Sequence, residues 1–207
     1  MAPTNTSRRG AVRPVDKYDK RRNELAESAL TTLGAMGYAR ASLREIANNS
    51  TFSHGVVHYY FQDKLELVIY SVRYYKARCV TRYDSVVSDS TTADDLVDAF
   101  AAKLTQTIRE EAPMHRLWYD LRTQSMFEDQ LRDAVTEIDN TLQDMIWRVV
   151  TRYAELAGRP VSVDPGAAYG MLDGLFQQTL LGYLGGRQTA LDSLVAQVRK
   201  VMPLMVA

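Results

Sequence analysis

Residues 42–64 read Ser42-Leu43-Arg44-Glu45-Ile46-Ala47-Asn48-Asn49-Ser50-Thr51-Phe52-Ser53-His54-Gly55-Val56-Val57-His58-Tyr59-Tyr60-Phe61-Gln62-Asp63-Lys64, and this stretch decides the fold. Ser42 with Glu45 three residues on is a capping box, which starts a helix at Leu43. Leu43, Ile46 and Ala47 recur at i, i+3, i+4 and give that helix one apolar face. Asn48, Asn49 and Ser50 offer the backbone competing hydrogen bonds and stop it early. Ser53 caps a second short helix carrying Val56, Val57, Tyr60 and Phe61, and Asp63 with Glu66 starts a third. Two short helices joined by a turn of about four residues form a helix-turn-helix, whose second helix enters the major groove of DNA.

The pattern Gly37-Tyr38, Ser42-Leu43-Arg44-Glu45-Ile46-Ala47, Ser53-His54-Gly55, Tyr60-Phe61 and Lys64 resembles the DNA-binding domain of TetR-family transcriptional regulators. The resemblance is strong over roughly residues 18–70 and only architectural beyond. Two positions depart from it. The turn, which usually carries an Ala-Gly-Val-like triplet, reads Ser50-Thr51-Phe52, and His58 stands where the family usually has a tyrosine.

The chain has 207 residues, 46% of them hydrophobic, enough for one large domain or a small and a larger one. Its net charge is zero, but residues 1–22 hold seven basic side chains (Arg8, Arg9, Arg13, Lys17, Lys20, Arg21, Arg22) against Asp16 and Asp19. That end therefore carries +5 and the remainder −5, the electrostatic footprint of a DNA-binding terminus; a solvated basic tail has the same composition. Cys79 is the single cysteine, so no intramolecular disulfide forms. No apolar run is long enough to span a membrane and no secretory signal opens the chain, so a cytoplasmic protein is expected.

The expected organisation is all-α with about nine helices. Residues 1–17 form a flexible basic arm, 18–63 a three-helix helix-turn-helix domain, and 64–207 a helical bundle for ligand binding and dimerisation. Helices are predicted at Tyr18–Met36, Lys64–Asp84, Ala93–Glu111, His115–Met126, Glu128–Ala157, 164–184 and Ala190–Met205 in addition to the two short ones, with Ser85–Thr92 a loop and Pro113 opening the helix at His115. The last two helices are apolar around most of their circumference, which points to burial on two sides. A symmetry partner is the simplest second side, with Leu172, Leu175, Phe176, Leu180, Leu191, Leu194 and Val198 expected at the interface; a monomer with a wide core helix fits the same pattern. The resemblance implies the dimer too, because TetR-like proteins pair through a four-helix bundle of their last two helices. Two copies of one recognition helix about 34 Å apart then read a palindromic operator on double-stranded DNA.

Within the recognition helix, Val57 and Phe61 pack inward, leaving Ser53, His54, Gly55, Val56, His58 and Tyr59 as candidates for DNA. Gly55 would let the backbone approach the bases, though a glycine near a helix start also needs no ligand. His54 suits a base edge or a phosphate and equally a solvated surface. Tyr59 offers a hydroxyl to phosphate or a ring to packing. Ser42 lies at a helix N-terminus, where hydroxyl and free N–H groups suit a phosphate, and Lys64 brings a point charge to the next helix start. The resemblance implies phosphate contacts at both, and at Arg44 a reach to guanine, the commonest specific base contact.

No catalytic constellation is present: no H-E-x-x-H, G-x-S-x-G, phosphate-binding glycine loop or cysteine pair occurs, so no enzyme, metal or cofactor is expected. The resemblance implies a cavity for a small-molecule effector. Trp118, Tyr119, Arg122, Met126, Phe127, Trp147, Arg148 and Gln178 are its candidates, against the alternative that large side chains at helical spacing simply pack. Asp120, Arg122, Thr123 and Gln124 interrupt an apolar helix and need partners, whether a ligand, an ion pair or solvent. The expected function is a dimeric, effector-released transcriptional repressor; the alternative is a helical protein-interaction module with a vestigial helix-turn-helix.

Overall fold

The computed structural model describes residues 14–207. Arg8, Arg9 and Arg13 of the expected basic arm lie outside the described residues. Nine α-helices follow in order among the described residues: α1 (Pro14–Met36), α2 (Leu43–Asn48), α3 (His54–Tyr60), α4 (Lys64–Cys79), α5 (Asp84–Asp89), α6 (Ala93–Gln124), α7 (Asp129–Ala157), α8 (Pro165–Leu184) and α9 (Ala190–Val201), closed by a 3₁₀ turn at Met202–Met205. No strand occurs among them. A single antiparallel bridge, Val161 to Val206, pins the C-terminus beside the α7–α8 connection.

The caps read from the sequence are formed. Ser42 and Glu45 make the reciprocal capping box of α2. Ser53 accepts from the Val56 N–H at the start of α3, and Asp63 accepts from the Glu66 N–H at the start of α4. Val57 and Phe61 are fully buried and fix α3 against α1 and α4, with the Arg22 guanidinium stacked on the Phe61 ring at 4.7 Å and paired to Glu66 at 2.7 Å. A capping side chain typically contributes about 1 kcal/mol. Ser53→Ala is accordingly expected to lower the stability of the chain by about 1 kcal/mol in a denaturant melt, with a larger local effect seen as faster amide exchange in α3.

Five elements differ from the sequence expectation. The first helix begins at Pro14 rather than Tyr18, so residues 14–17 of the expected arm are helical. The fourth helix ends at Cys79 rather than near Asp84, and the expected loop at 85–92 contains α5. Tertiary contacts make this short helix: Val86 is buried, and Arg148 of α7 bonds both the Val80 carbonyl and Asp84. The two helices expected over 93–126 run as one element, broken only at Glu111, whose φ of −129° and ψ of 25° are not helical. Pro113 is the cause of the kink, because it lacks an N–H and its ring crowds the preceding turn. The last helix passes into the 3₁₀ turn at Met202, where Pro203 removes a further donor.

The core of the bundle lies between α4, α6, α7, α8 and α9. Leu172, Phe176, Leu180, Leu194 and Val198, expected at a partner interface, are buried in the chain's own core, and Leu175 and Leu191 are half-buried against it. The outward apolar face of α8 is instead Met171, Leu181 and Leu184, with Leu181 66% exposed. Both stripes of α8 are apolar, so the sequence could not tell the inner one from the outer.

Candidate functional site

The exposed surface of the helix-turn-helix unit is made by α3 and the starts of α2 and α4. His54, Gly55, His58 and Tyr59 are exposed on α3, and Tyr59 is 74% exposed despite its size. The two imidazoles are one helical turn apart, with ring centroids at 4.4 Å and Nε2 atoms at 3.2 Å, so one donates and the other accepts. A Cβ built on Gly55 meets nothing within 4 Å, so the chain itself does not require glycine there. Val56 differs from expectation: it is half-buried against the core and offers only part of its surface. Arg44 is exposed and makes no ion pair among the described residues. Ser42 is exposed, though its hydroxyl already bonds Glu45. Lys64 is half-buried. It donates to the Tyr38 carbonyl and lies over the Tyr38 ring at 4.2 Å, and burial lowers its pKa. Two of its three N–H groups stay available for an external acceptor.

Tyr38 ties this surface to the bundle. Its N–H donates to Asp120 of α6 at 2.7 Å, and its hydroxyl donates to Glu128 at 2.8 Å. Burial and the Glu128 carboxylate push the phenol up to about 12. Gly37, at a φ of 80°, turns the chain out of α1, and a Cβ there would come within 3.2 Å of Asp120 Oδ2. Arg116 of α6 adds a bond to the Gly34 carbonyl at 2.5 Å. The second half of α6 thus grips the C-terminal end of α1 and the chain leading into α2.

The opposite face of that same half-helix lines a small cavity of about 70 Å³ between α4, α6, α7 and α8. Trp118 and Tyr119 line it as expected. The other expected residues do not. Met126 and Phe127 lie past the end of α6 and are 72% and 80% exposed, because helical spacing no longer governs them there. Gln178 is exposed on α8, two residues beyond Phe176 and so on the other side of the helix from the lining Tyr169, Leu172, Asp173 and Phe176. Trp147 is half-buried beside the lining Met145 and Ile146 and faces away from the space. Arg148 is exposed and spent on Asp84. Arg122 stands behind the wall: it pairs with Asp173 at 2.6 Å and Asp139 at 3.2 Å, while the Tyr119 hydroxyl donates to Asp173 and the Tyr169 hydroxyl to Asp139. The polar groups interrupting α6 therefore find protein partners.

Sequence reasoning missed the most unusual lining residue. Lys76 is 4% exposed, and its ammonium lies over the Trp118 ring at 4.6 Å with no hydrogen bond or ion pair among the described residues. Burial lowers its pKa to about 8, with Arg82 adding to the fall and Cys79, Asp173 and Asp139 opposing it. His115, 6% exposed, is held neutral by burial and by the Lys76 and Arg82 charges, its pKa lowered to about 2. His115 Nε2 and Trp118 Nε1 are both buried without a hydrogen-bond partner. The available signal was a lysine at an apolar-stripe position, since Val72, Lys76 and Cys79 follow helical spacing.

Among the described residues no helix is long and apolar enough to cross a membrane. Residues 25–70 match the family model of bacterial regulatory proteins, tetR family. Over the whole fold, the chain resembles a TetR transcription regulator from Haloarcula marismortui, with a TM-score of 0.73 at 17% identity, covering 91% of this chain and 100% of that one. It also resembles the regulator FadR from Bacillus subtilis, solved with stearoyl-CoA (TM-score 0.67, 18% identity, 89% and 97% covered). A third similar structure is E. coli NemR in its reduced form (0.71, 16% identity, 91% and 98% covered). At these identities the likeness is one of fold. No curated protein sequence matches the chain.

Proposed function

We propose, from the match of residues 25–70 to the tetR family model and the TetR-like fold of the whole chain, that the protein is a homodimeric repressor that binds a palindromic operator and is released by a small-molecule effector. The observation that carries the DNA-binding half is the exposed face of α3, with His54, Gly55, His58 and Tyr59 free of core packing and Arg44 beside them. In this reading those residues meet base edges and nearby phosphates, while the N-terminus of α2 at Ser42 and the remaining donors of Lys64 hold the backbone and set the register. Val56 contributes apolar contact through its outer half. The dimer supplies the second recognition helix, and Met171, Leu175, Leu181 and Leu184 of α8 are the residues that a partner would cover.

The effector half rests on the shared helix. Residues 115, 118 and 119 of α6 line the cavity, and Arg116 and Asp120 of the same turns hold the start of the helix-turn-helix unit. A ligand that shifts α6 changes the position of both recognition helices of the dimer, provided that it binds one arrangement better than the other. Asp120→Ala leaves the Tyr38 N–H without its acceptor. It is expected to cut the effector's influence on operator affinity about five- to thirtyfold while leaving effector affinity in the absence of DNA within about threefold. Operator titrations with and without saturating effector measure it.

The direct test of the DNA reading is a gel shift and footprint on the DNA upstream of the protein's own and neighbouring genes over a salt series. A protected palindrome and a linear fall of log affinity with log salt are expected. A stable dimer with no preference over random DNA would remove the reading.

A further inference from the structure

We infer that the cavity between α4, α6, α7 and α8 takes a small organic monocarboxylate with an apolar body, its carboxylate on Lys76 Nζ and its hydrocarbon against Leu104, Met145, Ile146 and Phe176. This rests on the reading of the cavity as an effector site. Three polar groups on its wall are more than nine-tenths buried: Lys76, His115 and Trp118. None has its polar atom hydrogen-bonded among the described residues: the ammonium lies over the Trp118 and Tyr75 rings with no hydrogen bond or ion pair, and His115 Nε2 and Trp118 Nε1 have no partner. Buried charges are retained where something pairs with them.

The chain's own carboxylates near the cavity are already engaged. Both oxygens of Asp173 are used, by Tyr119 and by Arg122. Glu111 accepts from Tyr75 and from Arg82. The missing anion therefore has to come with the ligand. A cationic ligand would meet the Lys76 charge and find no free carboxylate, and a neutral one would leave the ammonium bare. Arg82 on the same wall is taken up by Thr107 and Glu111, and the rest is mostly aliphatic and aromatic, so the body of the ligand is apolar. The Trp118 indole N–H is the second donor to the carboxylate. Neutral His115 offers Nε2 as donor or acceptor according to its tautomer, so it also tolerates a hydroxyl next to the acid.

The test is calorimetric titration of the full-length protein with four probes: decanoate, 2-naphthoate, 1-decanol and decyltrimethylammonium. The first two separate an alkyl from an aromatic acid. At least one acid is expected to bind, with decanoate at least about tenfold tighter than 1-decanol if the body is alkyl. Lys76→Met is expected to weaken the acid about thirtyfold and to leave 1-decanol within about threefold, and Trp118→Phe to weaken the acid about threefold. Wild-type protein binding the alcohol or the ammonium as tightly as the better-bound acid would overturn the carboxylate assignment and leave the effector cavity standing. So would folded Lys76→Met binding the acid like wild type. No heat and no melting shift with any of the four would overturn both. If Lys76→Met fails to fold, Trp118→Phe and the four-probe series on wild type decide between the same outcomes.

Discussion

Lys76→Met is expected to make the unliganded protein more stable at neutral pH, by about 3 kcal/mol, because each pKa unit lost on burial corresponds to about 1.4 kcal/mol. Lysine and methionine have similar length and shape, so the change removes the ammonium and keeps the packing, and replacing a buried charge by an apolar side chain is often stabilising. For a chain of this size the gain corresponds to a rise in Tm of about 6–12 °C, compared at equal protein concentration. The pH dependence follows from the direction of the shift, from 10.5 down to about 8. Below pH 8 the lysine is charged in both folded and unfolded chains, and folding bears the whole cost. Between 8 and 10.5 the folded protein releases the proton while the unfolded chain still holds it. Wild-type stability therefore rises relative to the variant across that window, and the advantage of methionine fades. The charged or titratable groups facing Lys76 are Cys79 from α4 and Arg82 just beyond it, His115 from α6, Asp139 from α7 and Asp173 from α8, together with Tyr75, Tyr83, Tyr119 and Tyr169, whose pKa values burial raises. His115 is neutral throughout this range, its pKa being near 2. Thermal melts of both proteins at neutral and alkaline pH measure the difference, and a variant less stable than wild type would mean that the ammonium is satisfied within the fold.

Gly55→Glu is expected to abolish operator binding, at least about a hundredfold, while leaving the fold intact. The free protein has room for the side chain, since nothing lies within 4 Å of a Cβ at this position. Glycine inside a helix costs about 0.5–1 kcal/mol relative to a residue with a side chain, and an acid in the first turn of α3 suits the helix dipole. Thermal stability should stay level or rise by up to about 1 kcal/mol. On DNA the same side chain holds the backbone away from the bases and presses a carboxylate against a phosphate-lined groove. Gly55→Ala, which adds only the Cβ, should show a smaller loss. Operator binding by Gly55→Glu at wild-type affinity would mean that α3 does not enter the groove at this residue.

The helix-turn-helix was legible because its signals are local. Ser42 with Glu45, Ser53 before α3, and Asp63 with Glu66 are caps whose partners lie three residues away, so the sequence carries both halves of each bond. The inward turn of Val57 and Phe61, and the exposure of His54, His58 and Tyr59, follow from the period of one helix. Val56 escaped this reading because its burial depends on a neighbouring element. The short helix α5 escaped it for the same reason: six residues of ordinary propensity are helical there because Val86 is buried and Arg148 reaches across from α7. The cavity was less legible still. Trp118 and Tyr119 were found because aromatic side chains in an interrupted apolar helix draw attention, while Met126, Phe127, Trp147 and Gln178 fail because sequence gives the size of a side chain and not its direction.

By itself, then, the sequence determined an all-helical chain, the caps that set its N-terminal unit, and the face of α3 that looks outward, since each depends on residues within a turn or two of one another. Only the tertiary structure decided which apolar stripe of α8 is core, that Asp120 and Glu128 meet Tyr38 across more than eighty residues, and that Lys76 is buried without an anion. The reason is physical: a capping bond closes within one helix, whereas burial, ion pairing and the shape of a cavity are properties of several helices at once, fixed only when they pack.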